Sequence, residues 1–156
     1  MNPVNVEKNN TAIRKKQMQT PRLSEAKAAF PRGLRVEING PATFLFISGT
    51  ASVGPVGQSL HAGDFRSQVV HTYKNIVSLL EQQNVTFKDV VKFTVYLKDM
   101  ADYDRFNECR DEFFSRMGLA RAEFPASTCV EARLCRDELL VEIEALAIVP
   151  AAGAAE

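Results

Sequence analysis

Residues Phe124–Pro150 read FPASTCVEARLCRDELLVEIEALAIVP. From Leu139 to Val149 this run is hydrophobic throughout except for Glu142 and Glu144. Strand alternation places the two carboxylates on one face and Val141, Ile143, Ala145 and Ala147 on the other, which is core-like. Carboxylates flanked on their own face by Leu140, Leu146 and Ile148 resist ionisation and need partners, so the chemistry is expected here. Taking Cys135–Glu138 as a turn makes the segment a two-stranded ribbon, with Glu131 across from Glu142 and Cys129 across from Glu144. Ser127, Cys129, Glu131 and Arg133 then share a face. Opposed like charges raise the proton affinity of one member, which suits general acid–base work; Arg133 is the cation nearest in sequence. The simpler alternative is a solvated outer face carrying two salt bridges, because a slip of one residue dissolves the pairing.

Working outward, Leu34–Ile38 and Thr43–Ser48 are expected strands joined by a turn at Asn39-Gly40-Pro41. After a glycine-punctuated loop, Asp64 is an expected cap for a helix over about Phe65–Gln83, with Val69, Val70, Tyr73, Ile76, Val77 and Leu80 as its stripe. Val90–Leu97 is a strand, and Asp102 is expected to cap a second helix carrying Tyr103, Phe106, Arg110, Phe113, Phe114 and Met117 on or near one face. The order is β-β-α-β-α-β-β. Two helices cover only one face of a sheet whose strands are apolar on both, so homo-oligomerisation is expected.

The chain has 156 residues, enough for one domain. Residues 1–20 are polar with four Lys/Arg and no apolar periodicity, and are expected to form a flexible arm. Residues 21–150 form the domain, and 151–156 a disordered tail. Nineteen acidic and nineteen basic residues balance, which argues against a nucleic-acid partner. No apolar run approaches membrane-spanning length, so no membrane association is expected. Three cysteines without paired metal spacing and two isolated histidines point to a reduced, cytoplasmic protein with no metal. Gly49-Thr50-Ala51 reads as an ordinary strand-to-loop turn, Cys129 as a small packed thiol, and His61 and His71 as surface or cap residues.

Several strings resemble the RidA/YjgF family of small trimeric imine and enamine deaminases. They are FISGTA after the second strand, Gln68 with Asn75-Ile76, VVKFTVYLKDMADYDRFN, Phe113-Phe114, and FPA-x-x-CVE followed by VEIEALA. The resemblance covers about Ala29–Val149. It implies a chorismate-mutase-like α+β fold: a homotrimer whose sheets form a central barrel, helices outside, with a cleft at each subunit boundary.

In that family an Arg two positions before the Cys of CVE grips the substrate carboxylate; here that position is Ser127. A Tyr supplied by the neighbouring subunit falls at Phe30. Cys129, Asn107 and the water-orienting carboxylate, at Glu142, are retained. Removing one partner of a buried bidentate ion pair costs about 2–5 kcal/mol, roughly thirtyfold to several thousandfold in affinity. A neutral Ser does not restore it. Either Arg32 or Arg133 supplies the cation, or the ligand is not a simple α-imino carboxylate. AFPRGLRVE, FISGTASVG, HAGD and CRDELLVEIEAL also resemble the C-terminal half of chorismatases, whose N-terminal half is missing here.

The resemblance implies a hydrolase or deaminase adding water to an imine, enamine or enol-ether bond of a small carboxylated metabolite, with no cofactor. Glu142 would activate the water. Arg32 or Arg133 would hold the anion, Ser127 and Thr128 would hydrogen-bond the ligand, and Asn107 and Cys129 would shape the pocket. The alternatives are a non-catalytic carboxylate-binding or regulatory trimer, or chorismatase-like activity. An RNA-cleaving role attached to the family is disfavoured by the neutral charge.

Overall fold

A cap, a stripe and a left-handed residue delimit the first helix. In the computed structural model, which describes residues 12–18 and 30–151, the Asp64 carboxylate accepts from Ser67 N at 3.1 Å and starts α1, Phe65–Glu81. Its stripe of Val69, Tyr73, Ile76 and Leu80 is fully buried. Asn84 at φ 55° ends it, with Val85 N donating back to Leu80 O at 3.0 Å. The second helix, α2, Tyr103–Arg116, begins differently from expectation. Asp102 makes no capping bond with its side chain; Asp99 instead accepts from Ala101 N at 2.8 Å and opens a 3-10 turn leading into α2.

Among the described residues six strands accompany the helices: β1 Ala12–Met18, β2 Gly33–Asn39, β3 Ala42–Ala51, β4 Val90–Leu97, β5 Ala126–Glu131 and β6 Val141–Pro150. β1 and β2 pair antiparallel as a small sheet. The main sheet has the order β3-β6-β4-β5, with β4 and β5 parallel and the other pairs antiparallel. The helices lie against the face that carries Phe93, Val95, Val141 and Ile143, all buried. Tyr73, Phe87, Phe93, Phe113, Phe114 and Phe124 form the centre of that core; Tyr73 stacks on Phe113 at 5.0 Å and Phe124 meets Phe114 edge-on at 4.9 Å.

Two further expectations are corrected. The C-terminal ribbon does not form: β4 stands between β5 and β6, so Glu131 is opposite Leu97 and Cys129 opposite Val95. Glu142 is opposite Tyr96 on one side and Ala51 on the other. The reason is burial. β6 is the more apolar strand and takes a central place with two neighbours, whereas β5, with Ser127 and Thr128, takes an edge. The connection from β4 through α2 then makes β5 parallel, as a crossover requires.

The second correction concerns the arm expected over 1–20. Its residues Ala12–Met18 are a strand; the remainder of the arm, and Ala152–Glu156 of the tail, lie outside the described residues. β1 is held by polar contacts that periodicity does not reveal. Lys15 Nζ donates to Lys88 O and Val90 O, and Gln17 Nε2 donates to Arg121 O at 3.1 Å and Phe124 O at 3.3 Å. Burial pulls the Lys15 ammonium below its usual pKa, opposed by Asp89 and Glu123. Among the described residues no helix is long and apolar enough to cross a membrane.

Candidate functional site

Glu142 projects from the face of β6 that the helices leave bare. Next to it β3 is irregular: pairing with β6 skips from Ile47–Ala145 to Thr50–Ile143, so Ser48 and Gly49 together oppose Glu144. Such a bulge bends a strand and re-aims its neighbours. Here it brings Gly49 under the carboxylate of Glu142, and a Cβ on Gly49 would lie 1.9 Å from Glu142 Oε1. Glycine at 49 is therefore a condition of the carboxylate's position, not merely of a turn. Glu142 is half-buried, and among the described residues no donor reaches it.

Its neighbour Glu144 is differently placed: Tyr96 Oη donates to Glu144 Oε2 at 3.1 Å. That bond, then burial and the charges of Glu144 and Glu142, raise the Tyr96 pKa. A depression of about 340 Å³ opens beside Glu144, between Phe46, Ser48, Lys92 and Thr94. On the same face Phe46 is 80% exposed and Phe44 48%.

A second group of site residues sits on the other side of the sheet. Paired strand residues share a face, so Ser127 and Cys129 go with Phe93 and Val95, toward the helices. Burial pushes the Cys129 thiol up to about 11, against the pull of the Arg110 guanidinium. It is a protonated thiol at neutral pH, not an activated nucleophile. Asn107, on α2, accepts from Arg110 Nη1 at 2.8 Å through Oδ1.

The remaining expected site residues are scattered. Thr128 faces away from Ser127, and its hydroxyl accepts from Lys92 Nζ at 2.5 Å. Arg133 is exposed in the connection after β5, while Glu131 accepts from Met100 N at 2.9 Å and caps a turn. Phe30 and Arg32 lie in the segment just before β2. The shared face expected for Ser127, Cys129, Glu131, Arg133 and the carboxylates of β6 is thus overturned. The cause is the parallel edge position of β5, which turns Ser127 and Cys129 to the opposite side of the sheet from Glu142.

Arg110 is the residue that sequence reasoning passed over. A cation within the apolar stripe Phe106, Arg110, Phe113 was the available signal, since an Arg is rarely buried without a partner. It is 3% exposed and bonded to Asp111 as well as Asn107.

The loop after β3 is fixed from behind. Asn75 Nδ2 donates to Ala51 O and Val53 O, both at 3.0 Å, and buried Gln68 ties His61 O and Glu138 O to Leu140 N. His61 Nδ1 is 3.0 Å from Ser52 Oγ, and its ring lies 5.2 Å from that of His71. Cys109, Cys129 and Cys135 are free thiols. Among the described residues no three His, Cys, Asp or Glu side chains gather as a metal site.

Residues 25–149 match the family model described as Endoribonuclease L-PSP. A RutC family protein of Pyrococcus horikoshii is 36% identical over 67% of this chain and 78% of its own length. The 3-aminoacrylate deaminase RutC of Acinetobacter baylyi is 30% identical over 70% and 85%. The crystal structure of the YjgF gene product of E. coli superposes with a TM-score of 0.60 at 28% identity, covering 67% of this chain and 80% of that one. In its motifs, its α+β architecture and its relatives, the chain belongs to the RidA/YjgF family, which includes the RutC proteins.

Proposed function

We propose that this protein is a hydrolase or deaminase that adds water to the imine, enamine or enol-ether bond of a small carboxylated metabolite. The observation that carries the reading is the Glu142 carboxylate, half-buried over Gly49 and without a donor among the described residues. A carboxylate so placed accepts a proton from water. With an imine protonated on nitrogen, the water oxygen bonds to the carbon as Glu142 takes a proton from the water, giving a neutral carbinolamine. Glu142 passes that proton to nitrogen; as the C–N bond breaks, the carbinol hydroxyl gives its proton back to Glu142 and becomes the keto oxygen, so ammonia and a keto acid leave. The name of the Acinetobacter baylyi relative, an aminoacrylate deaminase, agrees with this class of reaction.

One protomer does not present the whole site to one ligand. Glu142 lies on the bare face near β3, whereas Ser127, Cys129 and Asn107 lie on the helix side near β5, with β4 between. The working site is therefore made at a boundary between protomers of a homotrimer, in the cytoplasm. Exposed Phe44, Phe46 and Val130 on the bare face support burial against other copies.

The test follows ammonia and keto-acid release from 2-iminobutanoate generated in situ, with other imino acids and chorismate in parallel. Glu142→Gln is expected to lower the rate by about 10²–10⁴-fold. Wild-type rates equal to buffer with every substrate would remove the catalytic claim. Ser127 in place of a cation favours a second reading, a non-catalytic carboxylate-binding trimer. That reading predicts thermal stabilisation by small carboxylates without turnover.

A further inference from the structure

We propose that Arg110 is the residue that binds the ligand's carboxylate, entering the half-site from α2 rather than from β5. The inference rests on the reading above that the ligand carries a carboxylate and lies against Asn107, Ser127 and Cys129.

Arg110 is a buried guanidinium that is incompletely engaged. Nε and Nη2 donate to Asp111 Oδ1 at 2.9 and 2.5 Å, and Nη1 donates to Asn107 Oδ1 at 2.8 Å. A guanidinium carries five N–H donors, so two remain beyond these bonds. Asp111 does not serve Arg110 alone, because its Oδ2 also accepts from Arg121 Nη1 at 3.0 Å. The Phe124 ring, 5.8 Å from the guanidinium carbon, walls off one side. A desolvated cation with spare donors is where an anion is bound most strongly.

An independent observation points to the same place. The Tyr73 hydroxyl is fully buried and, among the described residues, has no hydrogen-bond partner. Of the charged groups, Arg110 acts on it most strongly, and the protonated Cys129 thiol is also close enough to influence it. A buried phenol without a partner is rare and costs stability unless something satisfies it. Tyr73, Arg110 and Cys129 thus mark one polar spot in an otherwise aromatic core. The Arg110–Asn107 bond also sets the amide: with Oδ1 turned to Arg110, the NH₂ of Asn107 points the other way and can donate to a ligand. Arg110 and this NH₂ are both donors, as a carboxylate requires.

The test uses the full-length protein and two probes, 2-oxobutanoate and butanone, the same skeleton without the carboxylate. Calorimetry measures affinity, and the Nε–Hε NMR resonance of Arg110 reports contact. The acid is expected to bind at least about thirtyfold more tightly than the ketone and to move the Arg110 resonance. Arg110→Gln is expected to lose about thirtyfold or more for the acid while leaving the ketone unchanged, and Arg110→Lys to fall between. Equal binding of the two probes, no binding of the acid, or an Arg110 resonance that stays still while the acid binds would overturn the proposal. So would a folded Arg110→Gln protein that binds the acid as wild type does. If that variant fails to fold, the titration of the wild-type resonance decides alone. Because binding is measured without turnover, the acid can be held by Arg110 even if Glu142 performs no chemistry.

Discussion

The surroundings of Glu142 and of Arg110 place a charge in opposite ways. Glu142 is positioned by main chain: a bulge at Ser48–Gly49 and a missing Cβ create the space its carboxylate fills. Arg110 is positioned by side chains, held by Asp111 and Asn107 against an aromatic core. A gap defined by backbone tolerates change in the surrounding side chains but no added atom at one residue. A cation held by packing is inseparable from the stability of the core around it. Activity and stability should therefore part company at one half of the molecule and move together at the other.

Gly49→Ala is the sharpest way to break this contrast. The new methyl displaces the Glu142 carboxylate, and turnover is expected to fall about 10²–10⁴-fold, as for loss of a general base. The side chain can swing aside, so the melting temperature is expected to stay near that of the wild type. A variant with full activity would show that the carboxylate's place over the bulge is immaterial.

At the other half, Phe114→Ala removes a fully buried ring that contacts Tyr73, Phe87, Phe93 and Phe124. Denaturant unfolding should show a loss of about 3–5 kcal/mol. Binding at Arg110 should weaken with it. Unchanged stability would mean that the core around Arg110 relaxes freely.

The smallest effect concerns Cys129. Burial raises its pKa to about 11, so the thiolate is scarce until the pH approaches that value. The raised folded-state value leaves stability intact below the unfolded-state pKa and lost as pH rises toward 11. Iodoacetamide should label exposed Cys135 first, while Cys129 reacts only as the pH nears 11. Labelling of Cys129 in neutral buffer would reveal an environment far less apolar than its neighbours imply.

Much of the architecture is legible in the sequence. The stripe of α1 and its Asp64 cap follow from local spacing, and the apolar run Val90–Leu97 coincides with β4. These are features in which near neighbours determine the outcome. The ribbon failed because strand partners are chosen by burial across the sheet: alternation assigns side chains to faces within β5 and β6 but does not say which strand lies between them. β1 escaped notice because Lys15 and Gln17 dock it on main-chain carbonyls, which leave no apolar period.

The site was legible in part for the same reason. Two carboxylates in an apolar strand announced themselves, but only one is partnered by a tyrosine. The importance of Gly49 needed the register of β3 against β6. Arg110 was visible as a charge in an apolar stripe, yet its neighbours Cys129 and Tyr73 come from distant segments that only the fold unites.

The position of β6 has a consequence for how the molecule is made. Among the described strands it is the last to leave the ribosome, yet it lies between β3 and β4 and joins them. Until it arrives, β3 has no hydrogen-bonding neighbour among the described strands, and the edge of β4 that pairs with β6 is open. Nascent chains stalled before Val141 should therefore engage holding chaperones, and native structure should appear only after synthesis has passed that strand.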